Sequence, residues 1–164
     1  MGVYLEVNSY KKDNRFILAE MKSVGLFEVN LDKIESFNPQ NHISFWDTIY
    51  SFHELAYECW NELENNDVFV SRSDIAFFDL IPNRMGGENI AILEGDSIAP
   101  MFDPAPILRL TEAVVENHEW LFNTFSYDAQ VRIIETDELK NLKTLQILLK
   151  EAVEKDLIIG MSYT

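Results

Sequence analysis

Two rows of carboxylates are the residues in this chain whose types and spacing best suit them to chemistry. At 100° per residue on a helix read from Ser44, Asp47, Glu54, Glu58 and Glu62 fall within about 80° of one another. Glu112, Glu116 and Glu119 share one face of a second predicted helix. No Lys or Arg occurs between Ser44 and Asn66, and only Arg109 stands near the second row. Like charges on adjacent turns cost roughly 0.2 to 0.5 kcal/mol per pair. A solvated helix usually avoids that cost by mixing signs, as a third predicted helix does with Glu138, Lys140, Lys143, Lys150 and Glu154. A solvent face is the simpler explanation of either row taken alone. The contrast inside one chain favours a docking surface for a cationic protein.

The wider charge pattern agrees. Residues 47 to 128 hold 16 Asp and Glu against Arg72, Arg84 and Arg109, a formal charge of −13, whereas residues 1 to 46 and 129 to 164 each sum to −1. A field of one sign attracts cationic surfaces, speeds their encounter, and repels nucleic acid and anionic membrane. The partner expected is a basic protein.

Nothing in the sequence offers competing catalysis. His42, His53 and His118 form no His-x-x-x-His pair and no metal-ligand spacing with Cys59. His53 and Cys59 stand six residues apart on one predicted helix and so point to different faces, which removes a nucleophile and base pair. Ser71, Ser73 and Ser97 lack a nucleophile elbow, and no Gly-rich phosphate loop is present. Glu94, Asp96, Ser97 and Asp103 could offer oxygen ligands but follow no calcium-loop register; they suit a turn leading into a helix. No catalytic residue, cofactor or metal is therefore assigned.

The elements that must position the carboxylates can be read from periodicity. Val3, Leu5 and Val7 alternate with polar neighbours as a first strand, Phe16 to Ala19 fits strand or helix, and Leu31 to Phe37 is a short helix ended by Asn38-Pro39. Ser44 followed by Asp47 resembles a capping box. Phe45, Ile49, Phe52, Ala56, Trp60 and Leu63 then recur at helical steps, predicting one long helix from Ser44 to about Glu64. Candidate strands and turns fill residues 68 to 93. Beyond Pro106, Leu110, Val114, Leu121 and Phe125 predict a second long helix over 107 to 122. Val131 to Ile134 fits a strand, Thr136 caps a third helix over 137 to 155, and Leu157 to Met161 closes as a strand. Three long helices among short strands, without a βαβ rhythm, predict an α+β fold with helices packed on a mostly antiparallel sheet.

Length and composition bound the rest. The 164 residues, 47% hydrophobic, suffice for one domain spanning 1–164 with its own core. One cysteine excludes an internal disulfide framework and suits a reducing compartment. The first residues lack the pattern of a signal peptide, and no apolar run is long enough to cross a bilayer, so a cytoplasmic location is expected.

A short, acidic chain with a lysine-poor carboxylate surface and no catalytic motif resembles the immunity proteins of bacterial toxin systems, including those of contact-dependent growth inhibition. The resemblance lies in the character of the whole chain rather than in any motif. It implies tight binding to a cognate toxin in the cytosol, often across the active site of a basic nuclease. A DNA mimic or other protein-binding inhibitor, and an enzyme with dispersed carboxylates, are the alternative classes.

Overall fold

The computed structural model describes residues 2–22, 25–48, 62, 63, 65, 66 and 98–163. In chain order these form β1 (Gly2–Lys11), β2 (Ile17–Met21), β3 (Leu26–Asn30), α1 (Leu31–Ile34), β4 (Asn41–Thr48), β5 (Ile98–Phe102), α2 (Pro104–Glu116), α3 (His118–Thr124), α4 (Tyr127–Thr136), α5 (Glu138–Glu154) and β6 (Leu157–Tyr163). The six strands make one sheet in the order β2-β3-β5-β6-β1-β4, every neighbouring pair antiparallel. The chain is thus α+β, with more helices than the three long ones predicted.

Strand alternation sends neighbouring side chains to opposite faces of the sheet, and here both faces carry a core. Leu5, Val7, Phe45, Phe102, Leu157 and Ile159 point to the side covered by α2 and α5, where they meet Ile107, Leu110, Val114, Leu145, Leu148 and Leu149. Met101 and Ile158, each one residue from a member of that set, instead join Phe16, Phe27, Val29 and Ile34 in a smaller core on the other face. Phe16 and Phe37 close this second core edge to face at 4.9 Å. Gly160 lies beside it, where an added Cβ would come within 2.7 Å of Met101 Cε, the movable end of that side chain. Gly25 has a left-handed φ of 64°, and its carbonyl accepts the Asp103 N–H at 2.8 Å, which ties the start of β3 to the start of α2.

The strands read at the two ends of the sequence are present, and the segment from Phe16 resolves as β2. Four readings are corrected. Residues 44 to 48 do not begin a helix. They complete β4, paired from Ser44 against Glu6 to Thr48 against Gly2. Ile43 and Phe45 alternate with His42 and Ser44, and β1 supplies the hydrogen-bonding partner that a capping signal cannot outweigh. Asp47 is therefore a strand residue, opposite Val3. Helical backbone is seen at Glu62, Leu63 and Asn65, and Leu63 is fully buried as its apolar stripe requires. The predicted residues between, Glu54 and Glu58 included, lie outside the described residues.

The second long helix begins earlier than predicted and breaks. Pro104 is tolerated in its first turn because no intrahelical donor is needed there, and the Asp103 carboxylate accepts the Ala105 N–H at 3.1 Å as N-cap. Asn117 interrupts it: the side-chain amide donates to the Ala113 carbonyl at 2.8 Å, and the backbone leaves helical geometry at φ −107°, ψ 14°. The third correction is at Val131 to Ile134, which are helical within α4 rather than a strand. Ser126 Oγ accepts the Ala129 N–H at 3.3 Å and starts that helix, so a short β-branched run is overridden by its flanks. Thr136 ends α4 instead of capping α5. The N-cap position belongs to Asp137, at a left-handed φ of 52° and without a side-chain cap bond.

Adjacent residues of α5 give a clean test of this packing, since Leu148 is 2% exposed and Ile147 is 68% exposed. Leu148→Ala should cost about 2 to 5 kcal/mol in denaturant unfolding through the cavity it leaves. Ile147→Ala should change stability by no more than about 0.5 kcal/mol. Similar costs at both positions would mean that α5 packs in another rotation.

Candidate functional site

The second carboxylate row survives folding in altered form. Burial of Leu110, Thr111 and Val114 fixes the rotation of α2 and leaves Glu112 half-buried and Glu116 exposed on the opposite side. The Thr111 hydroxyl is satisfied inside the helix by the Ile107 carbonyl at 2.7 Å. Because Asn117 breaks the helix, Glu119 stands in the first turn of α3, where a carboxylate suits the helix dipole, and it too is exposed. Glu112 and Glu116 are thus a true i, i+4 pair, while Glu119 reaches solvent from a separate helix. None of the three makes an ion pair among the described residues.

The first row is not assembled as predicted. Asp47 belongs to β4 and so does not share a helix face with the others. Glu62 is helical and half-buried, and its backbone carbonyl accepts the Asn66 side-chain amide at 3.0 Å. Glu54 and Glu58 are outside the described residues, as are His53 and Cys59.

Other chemistry is absorbed by local structure. His42 Nδ1 lies 2.5 Å from Asn8 Oδ1, and His118 Nδ1 lies 2.7 Å from the Val115 carbonyl. Among the described residues, no three His, Cys, Asp or Glu side chains gather so as to hold a metal ion, and no helix is long and apolar enough to cross a membrane. A polar cleft of about 440 Å³ opens beside the β1–β2 turn, lined by residues that include Tyr10, Lys11, Arg15, Phe37 and Gln40. Its arginine is already committed: Arg15 donates through Nε and Nη2 to Asp13 at 2.9 and 2.7 Å while lying 4.7 Å over the Phe37 ring. Burial pushes the Tyr10 hydroxyl above its ordinary pKa. Nearby, Lys12 pairs with Asp156 at 2.7 Å. Arg15 and Lys12 at this end of the molecule are therefore each engaged by a carboxylate of the chain itself.

Sequence reading missed a neighbouring feature. Tyr127, Val131 and Ile134 recur at i, i+4 and i+7 along α4, a spacing visible in the sequence but set aside when 131–134 were read as a strand. Tyr127 and Ile134 are exposed, as are Asp128, Glu135 and Asp137 beside them. Acidic and apolar groups thus share one stretch of surface.

Comparison with protein-family models, curated proteins and solved structures finds no match, so the functional reading rests on this chain's own residues.

Hydrogen bonds from the Arg15 side chain, followed by that from its backbone, hold the Asp13 carboxyl down at about 2 against an ordinary 3.8. A depressed carboxylate adds stability above its unfolded pKa and loses it as pH falls through the folded value, so this contribution should fade between about pH 3.8 and about pH 2. The side-chain carboxyl resonance of Asp13 should titrate near 2 and rise toward the ordinary carboxylate range in Arg15→Ala, stopping short of it because the backbone N–H at position 15 still donates. An unshifted midpoint in that variant would show that the guanidinium is not the cause.

Proposed function

We propose that the chain is an immunity protein that binds a cognate, basic, nuclease-type bacterial toxin in the cytosol and neutralises it, with no catalytic step of its own. The observation that carries this reading is the set of carboxylates at Glu112, Glu116 and Glu119, which make no ion pair among the described residues. They stand within a segment of formal charge −13. A helix surface that omits compensating lysines accepts self-repulsion, and a cationic partner removes it. A nuclease must hold phosphates with cationic groups, so an acidic surface can take the substrate's place in that field. Glu54, Glu58 and Glu62 belong to the same proposal as a second contact or a source of attracting field.

The direct test is to recover the chain from its source cells with any stoichiometric partner, and to purify that partner. Alone it should degrade nucleic acid and arrest growth, and adding this chain should abolish both. A partner that is acidic, or harmless to cells, would rule the reading out.

Two measurements on the purified pair follow. Association should slow about tenfold or more between low and physiological salt, with dissociation changing less. Charge reversal in E112K/E116K/E119K should leave the melting temperature nearly unchanged, since surface changes shift stability by about 0.5 kcal/mol or less, yet should abolish tight binding. Unfolding of that variant would make the carboxylates structural, and full neutralisation by it would place docking elsewhere.

A further inference from the structure

We infer that the outer face of α4 is the apolar anchor of the docking surface, seating in an apolar groove rimmed by basic side chains on the protein partner. This rests on the docking reading above and adds which residues hold the complex once charge has brought the two surfaces together.

An amphipathic helix should turn its apolar stripe to the core, and α4 does so only in part. Ala129 is 1% exposed and faces inward. On the other side, Tyr127, Val131 and Ile134 fall within about 60° of one another on the helical wheel. Tyr127 is 78% exposed and Ile134 69%, with Val131 half-buried between them. An aromatic and two β-branched aliphatic side chains at i, i+4 and i+7 are the anchors by which a helix lies in a groove. Large apolar groups gathered on a surface and bordered by polar ones mark an interaction site.

The border identifies the occupant. Asp128 and Glu135 lie together on one flank of the stripe, Asp137 follows at the end of the helix, and all three are exposed without an ion pair among the described residues. A groove lined by acidic groups would bring like charge against them. A second copy of the chain that set α4 against α4 across a two-fold axis would do the same. The comparison with α5 is instructive. Ile147 is equally exposed there, yet its face mixes Lys140, Lys143 and Lys150 with Glu154. A basic partner is drawn to the α4 stripe, whereas the mixed charge of the α5 face offers it no comparable field. The anchor is also held ready, since the Gln130 side chain donates to the Phe122 carbonyl at 2.8 Å and fixes α4 against the end of α3. Little ordering is then left for the moment of binding.

The test is site-specific cross-linking in the full chain within the cells that make it. p-Benzoylphenylalanine replaces Tyr127, and in a matched control it replaces Ile147. The expected result is a cross-link from position 127, absent from 147, to one protein rich in Lys and Arg. That protein, once purified, should bind Y127A/I134A about thirtyfold or more weakly than wild type, the scale of anchor residues at interfaces, with the melting temperature of the variant preserved. D128K/E135K should slow association about tenfold. No cross-link at 127, a cross-link to a second copy or to an acidic protein, or wild-type affinity in both Y127A/I134A and the single variant Y127A would overturn the inference. If a basic partner tolerates the loss of Tyr127 and Ile134 but not E112K/E116K/E119K, the anchor is wrong while acidic docking stands. If no basic partner exists, both fail.

Discussion

The pairing of β1 on both of its edges holds the rest of the molecule in place. Along one edge Gly2 to Ser9 run against Thr48 to Asn41, and along the other Leu5 to Lys11 run against Tyr163 to Leu157. Leu5 and Val7 between them have no exposure at all, so the face they share with Phe45 and Ile159 must be roofed. That roof is α5 together with α2. Polar groups fasten its edge: the buried Ser9 hydroxyl accepts the Asn41 N–H at 3.1 Å, the Asn41 side chain donates to Glu151 at 3.2 Å, and Lys155 donates to the same carboxylate at 2.9 Å. The Lys155 ammonium and, to a lesser degree, this amide hold Glu151 below the ordinary carboxylate range. A strand, a loop end and a helix are locked by groups that would be costly to leave unmatched.

The outer surface follows from what this frame does not need. With Leu110 and Val114 turned inward, Glu112 and Glu116 have nowhere to go but outward, and the halt at Asn117 lets Leu121 enter the core while Glu119 points away from it. In α4 Ala129 faces inward, while the larger side chains at 127 and 134 stand on the outside. Near the β1–β2 turn, Arg15 and Lys12 are held by Asp13 and Asp156.

How far this could be read from the residues alone depended on whether the deciding contact was local. Alternation at Val3, Leu5 and Val7, and the run from Leu157, marked β1 and β6, because each strand advertises its own buried face. The long Leu-rich pattern of α5 was equally clear. Phe45 misled, since it lies two residues from Ile43 and four from Ile49 and so satisfies strand and helix periods together; its choice is made by β1, distant in sequence. The break at Asn117 depends on a side-chain hydrogen bond that periodicity does not register. For the same reason the outward positions of Glu116 and Glu119 were legible from local pattern, whereas Asp47 was assigned to the wrong element and Tyr127 went unnoticed.

The double pairing of β1 also has a consequence for how the protein is made. Leu5 pairs with Tyr163, so a ribosome must finish almost the entire described chain before that strand finds its second neighbour. Its pairing with β4 needs only the first 48 residues and can form much sooner. In the interval β1, with Leu5 and Val7 not yet covered, presents a bare hydrogen-bonding edge, a template for any other extended chain. The nascent protein therefore passes through a period in which its own first strand is a hazard, and the speed with which α5 and β6 arrive decides how long that period lasts.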